Sequence, residues 1–209
     1  MANNSYKTVL KEAEDQFVEK RSRFIGYCKP VQTEEQALEF INTIKTKHWD
    51  AKHNVYAYIL KDGQIMRYSD DGEPQGTAGK PTLDVLLKSG LTDLVVVVTR
   101  YFGGVLLGAG GLVRAYSHSA KLAVEASQPI TMQECVVCTI SCNYNQYGKV
   151  SSIIPQCNGV IDDSQFGIDV DISFHILSHD LNKLKKEMAD ATCGEVEPTE
   201  EFKEFFVVK

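Results

Sequence analysis

Two α+β domains in tandem, the second with a βαββαβ order, are predicted by three features of the 209-residue sequence. The length exceeds one average domain and falls short of three. Apolar runs of strand period interchange with runs of helical period along the chain. Charge is also uneven, with residues 1–130 at +1 and residues 131–209 at −7. Pro129 stands at this change of character, so domains 1–129 and 130–209 are expected. The apolar and charged fractions, 43% and 24%, are those of ordinary globular proteins and exclude fibrous, disordered and membrane-embedded classes.

Residues 7–10 and 17–31 alternate and are rich in aromatic and β-branched side chains, which predicts antiparallel strands. Thr33, with Gln36 three positions on, has the spacing of a capping box. Ala37, Leu38, Ile41 and Ile44 then recur at helical spacing to about Lys47. Residues 55–60 and 65–68 read as a hairpin, since Asp62-Gly63 between them supplies the positive φ of a tight turn. Residues 69–80, SDDGEPQGTAGK, are too rich in Gly, Asp and Pro for regular structure. Pro81 suits the first turn of a short helix that ends near Gly90, and residues 94–98 (LVVVV) read as a buried strand. A glycine-rich stretch, residues 100–111 (RYFGGVLLGAGG), leads into a helix over 112–126. In the second domain we expect strand 134–142, helix 146–154, strands 159–163 and 168–177, helix 180–191 capped by Ser178, and strand 202–208. That order is ferredoxin-like.

The two irregular segments are the candidate functional loops. Gly103, Gly104, Gly108, Gly110 and Gly111 permit close backbone approach, and amides at the following helix N-terminus can bind an anion; equally, such glycines shape a tight loop. Arg100 and Arg114 flank the stretch, Arg114 in the expected first helical turn. Each can offer a planar guanidinium to phosphate or carboxylate, or pair with Asp70, Asp71 or Glu73. Tyr101, Phe102 and Tyr116 add stacking surfaces. Asp70, Asp71 and Glu73 have the chemistry for a hard cation, but acids beside glycines commonly form turns and caps, so no metal is expected. No lysine follows the glycines as in a phosphate-binding loop, and no cofactor is expected.

No catalytic residue is assigned. The five histidines are dispersed, GxSxG and HExxH are absent, and His53 reads as structural. Cys135, Cys138 and Cys142 imitate half a zinc site, but strand alternation turns Cys135 away from the other two. With Cys28, Cys157 and Cys193 they are expected to be reduced thiols. The N-terminus has no apolar segment behind basic residues, and no run approaches the ~18 apolar residues of a membrane span. A cytoplasmic protein without a membrane partner is therefore expected. Bulk charge disfavours a general nucleic-acid coat, so nucleic-acid contact would need a local basic patch on the first domain.

DDGEPQGTAGKP (residues 70–81) and VVVTRYFGGVLLGAGGLVRAY (residues 96–116) resemble the IMPACT family, in the form called YigZ-like or YvyE-like in bacteria. The resemblance covers almost the whole chain. It implies a first domain with the fold of ribosomal protein S5 domain 2 and a second similar to the C-terminal domains of elongation factor G. Eukaryotic members regulate translation by competing for the activator of a kinase that acts on an initiation factor. Many members carry lysine in the glycine-rich loop where this chain has Leu106. That departure weakens a phosphate-binding reading and suits a protein partner.

The leading expectation is a binding protein that engages the ribosome, structured RNA or a translation factor through the first domain, without DNA specificity. Arg100, Arg114 and Lys80 would form its basic patch, and the acidic second domain would modulate the contact. The rival is an enzyme acting on a phosphorylated or carboxylated small molecule at Asp70, Arg100 and Arg114.

Overall fold

A computed structural model describes residues 4–61 and 64–208. The chain divides into two compact units, Tyr6–Thr131 and Met132–Lys209, the latter joined by Met1–Ser5. The fold is α+β, with two antiparallel sheets and five helices among the described residues.

After β1 (Ser5–Val9), the first unit contains β2 (Ala13–Glu19), β3 (Ser22–Pro30), α1 (Glu34–Lys47), β4 (His53–Leu60), β5 (Ile65–Ser69), α2 (Gly79–Ser89), β6 (Leu94–Tyr101) and α3 (Ala109–Ala126). The sheet order is β2-β3-β6-β4-β5, with all neighbours antiparallel. Both faces of this sheet are covered. Val96 and Val98 of β6 join Phe24, Val55, Leu86 and Tyr116 in the core shared with α2 and α3. Val95 and Val97 point the other way, to Ile25, Phe40 and Ile44 in the core beneath α1. Burial on both sides explains the unbroken valine run.

Local chemistry fixes the ends. Thr33 caps α1 by accepting from the Gln36 amide (3.3 Å), while the Gln36 side chain reaches the Gln32 amide rather than closing the box on Thr33. Phe40 joins Ala37, Ile41 and Ile44 on the buried face, whereas Leu38, expected there, is exposed because it lies outside that stripe. Gly90 ends α2 in the left-handed conformation. β4 and β5 pair up to Leu60↔Ile65; the expected Asp62-Gly63 turn lies outside the described residues. The β2–β3 turn is made by Lys20 and Arg21, both at positive φ.

The second unit, entered within β7 (Pro129–Cys142), continues through α4 (Tyr144–Gln156), β8 (Val160–Phe166), β9 (Val170–Leu177), α5 (Ser178–Thr192) and β10 (Thr199–Val208), which is the βαββαβ order. Its sheet has the order β1-β7-β9-β8, with β10 also on β7. Asn143 and Gln146 form a capping box that starts α4 earlier than expected. Ser178 is not the cap of α5. It is the first helical residue, and Leu177, without a capping side chain, precedes it. Cys138 and Cys142 lie in the helix-covered core with Val136 and Ile140, and Cys135 is buried outside that cluster.

Candidate functional site

Strand β6 extends three residues beyond the valine run. The extension matters because Arg100 continues the alternation of Val96 and Val98 and so faces α2 and α3. Register places Phe24 and His53 on either side of it. The loop between β5 and α2 closes over this row, organised by its own acids. Asp70 accepts from the amides of Gly76 (2.8 Å), Ala78 (3.1 Å) and Gly79 (2.8 Å), which ties the loop to the first turn of α2. Asp71 receives the Lys45 ammonium (2.7 Å) on one carboxylate oxygen and the Asn54 amide (2.7 Å) on the other.

Glu73 is thereby lowered into the interior. Its Oε1 accepts from Arg100 Nη1 (2.6 Å) and from the Tyr116 hydroxyl (2.8 Å), and all three residues are buried. Burial, and then the Glu73 charge, push the Tyr116 hydroxyl well above the ordinary tyrosine range. The Arg100 guanidinium lies 5.5 Å from the ring centres of both Phe24 and Phe102, and its Nε is buried without a hydrogen-bond partner. His53 Nδ1 donates to the carbonyl of Asp71 (2.9 Å), which leaves Nε2 toward Glu73 Oε1 at 3.9 Å. Loop, strand and helix are thus bolted together by one carboxylate.

Beyond Tyr101 the chain becomes a surface loop. A Cβ on Gly103 would stand 2.1 Å from the carbonyl oxygen of Arg21, so only glycine fits, and its amide donates to Ser22 Oγ (3.2 Å). This contact seats the loop on the basic β2–β3 turn. Phe102, Val105 and Leu106 are exposed, at 50%, 39% and 82%. Gly104 and Gly108 hold positive φ, Gly108 is the uncapped N-terminal residue before α3, and Gly110 and Gly111 form its first turn. Arg114, in the second turn rather than the first, is exposed and shares a hollow of about 250 Å³ with Phe17, Lys20 and Leu107. Lys80 is exposed and paired with Asp84 (2.5 Å).

The structure therefore sorts the candidate residues into three groups. Glu73, Arg100 and Tyr116 are internal girders, and Asp70 and Asp71 hold the loop above them. Tyr101 faces the opposite side of the sheet, where its hydroxyl donates to Asp50 (2.9 Å) and meets His48 Nδ1 (2.9 Å), and its ring lies under the Arg23 guanidinium. Phe102, the glycines and Arg114 border the exposed loop. Arg100 and Arg114 do not form a pair of exposed guanidiniums, because strand alternation buries the first. Lys20 and Arg21 beside the loop went unnoticed in the sequence, since Lys-Arg lacks the signature of a two-residue turn. Among the described residues no group of three His, Cys, Asp or Glu is placed to hold a metal ion, and no helix is long and apolar enough to cross a membrane.

Comparison with known proteins agrees with these motifs. The Impact N-terminal domain matches residues 20–124, and a domain of unknown function, DUF1949, matches residues 140–195. The chain is 36% identical to IMPACT family member YvyE of Bacillus subtilis, over 91% of this chain and 88% of that protein. It is 33% identical to IMPACT family member YigZ of Escherichia coli, over 85% and 89%. A crystal structure of a hypothetical protein superposes with a TM-score of 0.60 at 30% identity, covering 97% of this chain and 99% of that one. With both its domains matched in order and relatives aligned along most of its length, the chain belongs to the IMPACT family.

Proposed function

We propose that the protein is a non-catalytic binding module of the translation apparatus, which docks through loop 102–107 onto a ribosomal protein surface or a translation factor. The observation that carries this reading is the loop itself: apolar side chains held outward on a backbone anchored by Gly103, beside the cations of Lys20, Arg21 and Arg114. Apolar anchors inside a polar, charged rim are the anatomy of a protein–protein contact. The family's eukaryotic regulators of translation supply the choice of partner. Structured RNA is the second reading, favoured by the same cations and by the exposed Phe102 ring. An enzyme built on Asp70, Arg100 and Arg114 is supported less, because internal bonds occupy Asp70 and Arg100.

Co-sedimentation with ribosomes at low and moderate salt tests the proposal. We expect the parent to sediment above an acidic control protein, and Leu106→Asp to lose at least about tenfold in affinity, the effect of a central apolar anchor. Because Leu106 is 82% exposed, that variant should melt with the parent. No association by the parent, or undiminished association by Leu106→Asp, would overturn the proposal. Loss through Arg114→Gln but not Leu106→Asp would promote RNA.

A further inference from the structure

At the far end of α3 from the glycine-rich loop, helices α2 and α3 leave a cleft of about 650 Å³. All of its lining lies within Tyr6–Thr131, the first unit, which takes in the opening residues of β7. The floor is apolar: Leu91 and Val124 are buried, and Val85 and Ile130 are half-buried along the walls. Around the mouth stand Lys7, Lys88 and Lys121, all exposed. Lys121 is shared with Glu125 at 3.6 Å, but among the described residues Lys7 and Lys88 have no acidic partner. The Leu86 and Leu87 carbonyls near the end of α2 are satisfied by the amides of Leu91 and Gly90.

An apolar trough with unpaired cations at its rim complements a molecule with an aliphatic body and an anionic head. We propose that this cleft binds an amphiphilic anion, with the chain lying on Val85, Leu91, Val124 and Ile130 and the head met by Lys7 and Lys88. This site is separate in residues from loop 102–107, so it stands or falls independently of the docking proposal.

The test uses the full chain and a series of monomeric alkanoates, octanoate, decanoate and dodecanoate, each compared with the alkanol of equal length. Affinity is read by calorimetry, and location by amide chemical shifts. Each added CH₂ should tighten binding about fourfold until the trough is filled. Decanoate should bind more tightly than decanol, and the shifts should centre on α2 and α3. The double variant Lys7→Gln/Lys88→Gln alters only exposed side chains and should erase the preference for the anion while leaving the chain-length dependence. Val85→Asp should abolish binding of every member. Absence of saturable binding, equal affinity for acid and alcohol in the parent, or shifts centred elsewhere would each overturn the inference. The charge variant keeps it falsifiable should Val85→Asp fail to fold.

Discussion

Replacing Glu73 by glutamine keeps the shape of the side chain and an acceptor for the Tyr116 hydroxyl, but leaves the Arg100 guanidinium buried without a counter-charge. The parent contact is short, 2.6 Å, and the two side chains are only 7% and 3% exposed, so water cannot take over the lost role. Breaking such a pair from one side costs about 3–5 kcal/mol. With a urea dependence of about 2 kcal/mol per molar, the unfolding midpoint should drop by about 1.5–2.5 M. Hydrogen exchange in graded urea is the assay of choice, because peptides of β8 and β9 provide an internal reference for the second unit. Exchange should accelerate in β6, α3 and residues 70–78. A double variant, Glu73→Gln/Arg100→Met, removes both charges together, keeps the acceptor for Tyr116 and should recover most of the loss, giving a coupling of about 3 kcal/mol in the cycle with the two single variants. A Glu73→Gln midpoint within about 0.3 M of the parent, or a double variant no better than the worse single one, would refute the view that this pair bolts loop to strand.

Three further outcomes follow from the same geometry. Gly103→Ala should destabilise the first unit by about 3 kcal/mol, because its Cβ would meet backbone atoms that cannot swing aside; calorimetric melting checks it. Asp70→Ala strands amides that now share one carboxylate, and should lower stability by about 2 kcal/mol and expose residues 70–79 to proteolysis. Burial pushes the Cys28 thiol from 9.0 up to about 12. The folded state therefore holds this proton more tightly than the unfolded one, a contribution complete below pH 9.0 and lost as pH rises toward about 12. Cys28→Ala should flatten the alkaline decline of stability in urea titrations at stepped pH, and an unchanged slope would contradict the burial argument.

Element order was legible in the sequence wherever periodicity or turn chemistry spoke locally. Thr33 announced α1, Gly90 the end of α2, and LVVVV a buried strand. What escaped depended on partners distant in sequence. Arg100 looked like the edge of a loop because arginine and the following aromatics break the valine run, yet pairing with both β3 and β4 carries β6 on through Tyr101. Once there, alternation alone decides that Arg100 goes inward and Tyr101 outward. Pairing of Arg100 with a loop acid was one of two readings that the sequence left open; choosing Glu73 over its neighbours required the fold of the whole 70–78 loop. Nor did spacing separate Tyr116, which is fully buried, from Phe102, which is half exposed. The exposed Leu106 was visible as a departure from the family pattern, and its setting beside Lys20 and Arg21 was not.

The bonds made by Asp70 give the motif DDGEPQGTAG a role inside this chain. Converging amides at a glycine-rich turn before a helix are the device by which many proteins grip a phosphate. Here the grip is already taken, since the carboxylate of residue 70 sits on the amides of Gly76, Ala78 and Gly79. The segment is a self-liganded anion nest. A soluble phosphate would have to evict a tethered competitor whose local concentration never falls, and the amides here serve the chain's own carboxylate.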